Sequence, residues 1–134
     1  MSGDDGTGLI GAIAGFTVVL ALALFAVQVL LNLFTTSAVT DAAHDGARRV
    51  AGARVDHADP LAVTAARTDA ERTIRDLLGA YGERVSIDWS ASTADEVVVR
   101  VRGEAPRVLL PGLAGPVGLD RVDRTVRVRV ERPR

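Results

Sequence analysis

Three glycines near the start of the chain, Gly6, Gly8 and Gly11, have the G-x-G-x-x-G spacing of a dinucleotide-binding fingerprint. That fingerprint needs a strand before it, a helix after it and an acidic residue about twenty positions further on. Five preceding residues leave no room for a strand, and position 28 is a glutamine. We therefore expect no nucleotide cofactor.

The two histidines, His44 and His57, are the remaining candidates for acid-base or metal chemistry. No cysteine is present, which removes thiolate zinc sites and cysteine nucleophiles. Asp41 and Asp45 flank His44, but no serine in a tight nucleophile turn accompanies them. The sequence therefore predicts a protein that is not an enzyme, with no catalytic residue, no metal site and no cofactor.

The C-terminal part of the chain is rich in arginine. Residues 100–134 contain nine arginines and four acidic residues. Alternating arginines on a strand usually form a solvated face, and the aromatic residues that single-strand nucleic-acid readers use are missing. We expect no nucleic-acid partner, and we treat Arg127 and Arg129 as part of a candidate partner surface. Contact with anionic envelope polymers or lipid head groups is an open alternative.

The N-terminal region contains a long apolar stretch. Residues 9–34 are almost continuously apolar, and no charge occurs between Asp5 and Asp41. A helix of that length reaches about 39 Å, whereas a bilayer core needs about 30 Å. The stretch predicts a single membrane span, with the lipid bilayer as partner. A cleaved secretory signal is the competing interpretation, but residues 1–6 have no Lys or Arg and the apolar run exceeds an h-region.

Beyond the span, the helical period continues with a stripe of small apolar residues, which predicts an unbroken helix that becomes an amphipathic stalk. Asp59 and Pro60 then predict the start of a second helix, which Gly79 and Gly82 end. Val63, Ala66, Ala70, Ile74, Leu77 and Tyr81 are expected on its packed face.

After Gly82 the apolar period changes to two in three segments, around Ile87, Val99 and Val128. We expect a three-stranded antiparallel sheet whose first two strands form a hairpin with one solvated face. The expected fold class is therefore α+β, with a long N-terminal helix, a second packed helix and a three-stranded antiparallel sheet. The predicted organisation is a leader-like N-terminus (1–6), a membrane helix with stalk (7–55) and a small head (56–134).

A loop rich in leucine and proline separates the second and third strands. It is expected to fold back onto the sheet or to contact a partner, because so much leucine would not stay in water. Leu109, Leu110 and Leu113 complete the candidate partner surface.

Small residues at helical spacing predict close helix packing. Gly11 and Gly15 form a G-x-x-x-G pair, although glycine and alanine are common throughout this segment. The complete set of predicted packing residues is Gly8, Gly11, Ala12, Gly15, Ala43, Gly46, Ala47 and Val50.

This order of parts resembles a known family. Gly6-Thr7-Gly8 before the apolar helix, Phe-Ala-Val-Gln at 25–28 and the stalk sequence at 38–51, with its Ala-Ala-x-x-Gly-Ala-Arg core, resemble TadE-type pseudopilins of the tight-adherence (Tad, or Flp) pilus system. The resemblance is best over residues 6–52, and the head matches in layout only.

The resemblance implies a minor pilin-like subunit or assembly factor of a Tad pilus or related secretion apparatus. It implies a single-pass protein of the bacterial cytoplasmic membrane with an extracytoplasmic head, other Tad proteins as helix-packing partners, and a prepilin peptidase that cleaves after Gly6 or Gly8. The family commonly has glutamate at the fifth mature position, which here is Gly11 or Ile13, so an uncleaved form stays open. The alternative is a membrane anchor whose head binds an unrelated envelope partner.

Overall fold

A computed structural model of the protein describes residues 2–109 and 118–132. Its first element is a single helix of 50 residues, α1 (Ser2–Ala51). The predicted continuity of the helix from the apolar stretch into the stalk is confirmed. The sequence between Gly15 and Gly46 contains neither glycine nor proline, so nothing in it favours a kink or a break. The helix ends just before Gly52, inside the predicted helix-and-stalk segment 7–55.

The second helix, α2 (Pro60–Leu78), begins where the sequence predicts. The Asp59 side chain accepts a hydrogen bond from the Leu61 amide at 2.9 Å, and the proline occupies the first turn. At the other end Gly79 has φ of 60°, a conformation that favours glycine. The chain then forms a 3-10 turn, Gly79–Arg84, because the Arg75 guanidinium donates to the Gly82 carbonyl at 2.6 Å and holds the turn closed.

Three strands follow, β1 (Ser86–Asp88), β2 (Glu96–Glu104) and β3 (Arg121–Arg129). They form one antiparallel sheet in the order β1-β2-β3, with Ile87 opposite Val101 and Val99 opposite Val126. The predicted hairpin of the first two strands and the predicted α+β class are both confirmed.

The core lies between the two helices and one face of the sheet. The C-terminal half of α1 packs on both α2 and β3, so it forms the centre of the head. Trp89 is buried and its ring N–H donates to a Glu71 carboxylate oxygen at 2.8 Å, which joins the sheet to α2. The largest fully buried side chains outside the sheet are Ile74, Gln28, Val39 and Val50.

Two features differ from the sequence prediction. Leu77 was expected on the packed face of α2 but is 61% exposed, because it lies beside an open groove between α1 and the end of α2. Val98 points to the solvated face of the sheet yet is buried. Ser92 folds over this strand, and its hydroxyl exchanges two hydrogen bonds of 3.0 Å with the Val98 backbone.

Candidate functional site: an exposed apolar helix and the base of the head

The N-terminal half of α1, residues 6–27, is exposed at every position. We call it the anchor segment. It is rich in large apolar side chains, among them Ile10, Phe16 and Val19, each at least 65% exposed. Its 22 residues reach about 33 Å at 1.5 Å per residue, close to the thickness of a bilayer core. The helix is long and apolar enough to cross a membrane, and its most apolar part is not buried by the rest of the described chain.

The small residues of the anchor segment touch nothing in the described part of the chain. A Cβ atom added at Gly8, Gly11 or Gly15 would meet no atom within 4 Å, and Ala12 is exposed. These predicted packing residues are therefore free to face another molecule. Gly6 and Gly8, the predicted leader cleavage positions, lie within α1, which extends back to Ser2.

The predicted packing residues of the stalk are used within the chain. Ala43, Ala47 and Val50 are fully buried in the core of the head. A Cβ atom at Gly46 would lie 2.5 Å from Cδ1 of Ile74, so the absence of a side chain there lets α2 approach α1. This stripe packs against α2 and the sheet of the same chain and is covered by them.

Gln28 marks the boundary between the two halves of α1. Its side chain is 0% exposed, directly after 22 exposed residues. The amide oxygen accepts hydrogen bonds from the Val108 amide at 2.7 Å and the Leu109 amide at 3.3 Å. The amide nitrogen donates to the carbonyls of Pro106 at 2.9 Å and Leu119 at 3.4 Å.

Gln28 thus uses both donors and both acceptor positions of its amide on the backbone of the β2–β3 connection. Asn32, one helical turn later, adds a hydrogen bond of 3.4 Å to the Leu119 carbonyl. Irregular backbone beside an apolar helix must satisfy its polar groups inside the protein, and these two amides do so. The described parts of the connection therefore fold onto α1, whereas the sequence predicts contact with the sheet or a partner.

A groove lies above Gln28, between α1 and the end of α2. It has a volume of about 350 Å³ and is mostly apolar. Its lining residues include Leu31, Phe34, Leu77, Tyr81 and Pro106. Burial raises the pKa of the Tyr81 hydroxyl above its ordinary value, and the nearby Glu104 carboxylate adds to the shift. We call the groove and residues 106–109 the base of the head.

The outer face of the sheet carries the predicted arginines of the partner surface. Arg127 and Arg129 are exposed, and Nη1 of Arg127 lies 3.5 Å from Oε2 of Glu96. Over the three strands this face has five arginines and four carboxylates. They are Arg100, Arg102, Arg121, Arg127 and Arg129 with Asp88, Glu96, Glu104 and Asp123. The face is therefore nearly neutral, unlike the positive surface that nucleic acids require.

The best-formed ion pair of this face joins Arg100 and Asp123. Two hydrogen bonds, of 2.9 and 2.6 Å, connect the guanidinium to the carboxylate. The hydrogen bonds from Arg100 lower the pKa of Asp123, and those to Asp123 raise the pKa of Arg100. The pKa of Asp88 is also lowered, first by a hydrogen bond from the Ser90 amide.

The leucines of the predicted partner surface are described in part. Leu109 is half-buried and its amide points to Gln28. Leu110 and Leu113 lie outside the described residues.

The two histidines lie apart from each other, on α1 and in the segment between α1 and α2. His44 is exposed on α1, and Asp45 is engaged by Arg49 at 2.8 Å. His57 Nε2 lies 3.4 Å from the Gly52 carbonyl oxygen. Within the two described ranges no group of three or more His, Cys, Asp or Glu residues could hold a metal ion.

The boundary role of Gln28, and the hydrogen bonds that Gln28 and Asn32 make to a distant segment, were not predicted from the sequence. The signal was present, because two amides four residues apart lie on one face of a helix. A polar residue inside an apolar helix commonly has a specific partner. Comparisons with protein-family models, with curated proteins and with solved structures gave no match to this chain.

Proposed function

We propose that this chain is a TadE-type, minor pilin-like membrane subunit or assembly factor of a Tad/Flp pilus or related secretion apparatus, without catalytic activity. The observation that carries the proposal is the division of α1. One uninterrupted helix has an exposed apolar half of 22 residues and a second half that forms the centre of a small α+β head.

The anchor segment holds the protein in the cytoplasmic membrane as a single span, with the head on the extracytoplasmic side. Burying this segment in lipid removes its large apolar side chains from water. Each central Leu, Ile, Phe or Val makes the free energy of insertion more favourable by about 0.3 to 0.6 kcal/mol. The exposed Gly8, Gly11, Ala12 and Gly15 allow the helix of another pilus protein to approach closely in the membrane.

In this proposal a prepilin peptidase removes the leader after Gly6 or Gly8. The mature chain then begins at Thr7 or Leu9 and keeps at least 19 exposed residues of the anchor segment, 9–27. Intact-mass analysis of the native protein tests this step directly. A terminus at Met1 or Ser2 would remove processing from the proposal and leave an uncleaved membrane-bound assembly factor.

The test of function is deletion of the gene in its native host, followed by complementation. We expect loss of piliation and surface adhesion, restored by the unchanged chain. The Gly11→Leu, Gly15→Leu double variant should fail to restore them, because leucine prevents close helix approach. The Ala14→Leu, Ala21→Leu double variant, which adds similar bulk on a different face of α1, should restore them.

Two results would count against the proposal. If deletion leaves piliation and adhesion unchanged, the pilus assignment is wrong. Proteins captured by cross-linking at the head would then identify the unrelated envelope partner of an anchored binding protein. If the two double variants behave alike, helix packing through the glycines is wrong.

A further inference from the structure

The exposed apolar side chains of the head are unevenly distributed. Outside α1, and within the described residues, the large apolar side chains that are exposed are Leu61, Leu77 and Val108. Leu61 lies at the start of α2, next to the end of the stalk. Leu77 lies at the other end of α2 and lines the groove at the base of the head. Val108 is also at the base, because its amide binds Gln28.

The base of the head lies directly above the anchor segment. The exposed residues 6–27 fill a bilayer core of about 30 Å with a helix of about 33 Å, which places Gln28 at the membrane surface. Val108 is held at the same height by its hydrogen bond to Gln28. Phe34, in the groove, is six residues further along and therefore about 9 Å above Gln28.

The apolar surface is continuous from the anchor segment to the base. Leu30, Leu33 and Phe34 are at least 60% exposed and lie just beyond Gln28 on α1. The groove that follows is lined by Leu31, Phe34 and Leu77. A lipid-facing surface that begins on the span therefore extends onto the underside of the head.

From this geometry we infer that the base of the head rests on the bilayer, with Val108 at the boundary of the acyl chains and Leu77 at the level of the lipid head groups. The inference rests on the anchoring part of the proposed function. It also rests on the apolar side chains of the base, and Arg107 at the base pairs with Glu104 at 3.2 Å. The partner is the bilayer surface itself, and neutral phosphatidylcholine is sufficient.

The absence of cysteine makes a direct test simple. Single cysteines are introduced in the full chain at Leu77→Cys and Val108→Cys, with Leu61→Cys as the matched control. Leu61 and Leu77 are both exposed leucines of α2, 16 residues and about 24 Å apart along the helix. Leu20→Cys, in the middle of the anchor segment, reports whether the span is inserted.

Each variant is labelled with an environment-sensitive fluorophore and reconstituted in phosphatidylcholine vesicles containing nitroxide-labelled lipid. We expect a blue-shifted emission and several-fold stronger quenching at positions 77 and 108 than at position 61. Fluorescence of the single tryptophan, Trp89, which is buried in the head, verifies that each variant is folded.

Three results would overturn the inference. If positions 77 and 108 resemble position 61 while position 20 is quenched, the head stands clear of the membrane although the anchor is correct. If position 20 is also unquenched, the anchoring itself fails. If the shifts at 77 and 108 disappear when the protein is diluted with excess lipid, a second protein molecule covers the base instead of the bilayer.

Discussion

The two halves of α1 belong to one unbroken helix, yet their surroundings are opposite. In residues 6–27 large apolar side chains are exposed all around the helix, whereas in residues 28–51 one stripe, mostly of alanine and valine, is buried. A helix that is apolar on every side requires an apolar environment, and one with a single apolar stripe requires a neighbouring element. Side-chain distribution, rather than helical continuity, therefore distinguishes the half of α1 that requires an apolar environment from the half that packs within the head.

The strongest test of this difference places charge in each half. Phe16→Arg with Leu20→Arg should remove the chain from the membrane, since each arginine near the centre of a span costs about 3 kcal/mol on the insertion scale. Ser37→Arg with His44→Arg, at exposed positions of the stalk, should leave membrane binding unchanged. Carbonate extraction and membrane fractionation measure the result. Equal membrane binding of both double variants would contradict the assignment of residues 6–27 as the span.

A second pair of variants compares the same substitution in both halves. Gly46→Leu should destabilise the head by about 3 kcal/mol, because overpacking a filled core forces its neighbours apart. A Cβ at this position already meets Ile74. Gly15→Leu should leave head stability unchanged, since its surroundings are empty within the chain. Denaturant unfolding in detergent, followed by Trp89 fluorescence, gives both values, and a large loss in Gly15→Leu would break the comparison.

The boundary between the halves is tested at Gln28. Gln28→Leu removes four hydrogen bonds and leaves backbone groups of the β2–β3 connection without partners, at a cost of about 2 kcal/mol. Asn32→Leu removes one long hydrogen bond and should cost less than half of that. The same unfolding measurement applies. Hydrogen exchange of the Val108 amide, faster in Gln28→Leu than in Asn32→Leu, would show that the effect is local.

The smallest effect is expected at the exposed surface of the head, where charges face water. The hydrogen-bonded pair with Arg100 lowers the folded-state pKa of Asp123 below its ordinary 3.8. Its contribution to stability is therefore present above the unfolded-state pKa and is lost as pH falls through the folded-state pKa. We expect Asp123→Asn to reduce stability by less than about 1 kcal/mol at neutral pH. Below pH 4 the difference from the unchanged protein should shrink.

Asp76→Asn, an exposed carboxylate of α2, is the matched control for the acid-dependent measurement. The pH dependence of unfolding of Asp123→Asn should differ from that of the unchanged chain, and Asp76→Asn controls for the loss of one exposed negative charge. A difference at Asp123 that stays constant from pH 7 to pH 3 would mean that the ion pair is not its source.

Much of the fold follows from local pattern. The unbroken α1, the Asp59 cap of α2 and the strands around Ile87, Val99 and Val126 are all visible in periods of 3.6 or two. These signals depend on residues close together in sequence. They require no knowledge of which distant segments meet.

The features that were missed depend on distant contacts. Gln28 binds residues about 80 positions away, and no local period reveals such a partner. Leu77 fits the apolar period of α2, but it lines an open groove between α1 and the end of α2. Whether a small-residue stripe packs within the chain, as at Gly46, or faces outward, as at Gly11, likewise depends on where α2 and the sheet lie.

The unbroken passage of α1 from anchor to head has a mechanical consequence. Because α1 has no break at Gln28, the anchor segment and the head tilt together. Membrane helices tilt by about 20° on average, and a stalk of about 35 Å then moves its far end sideways by roughly 12 Å. If residues 6–27 span a membrane as proposed, a neighbouring helix that changes the tilt of this segment also repositions the far end of the head, and a force on the head is transmitted to the span.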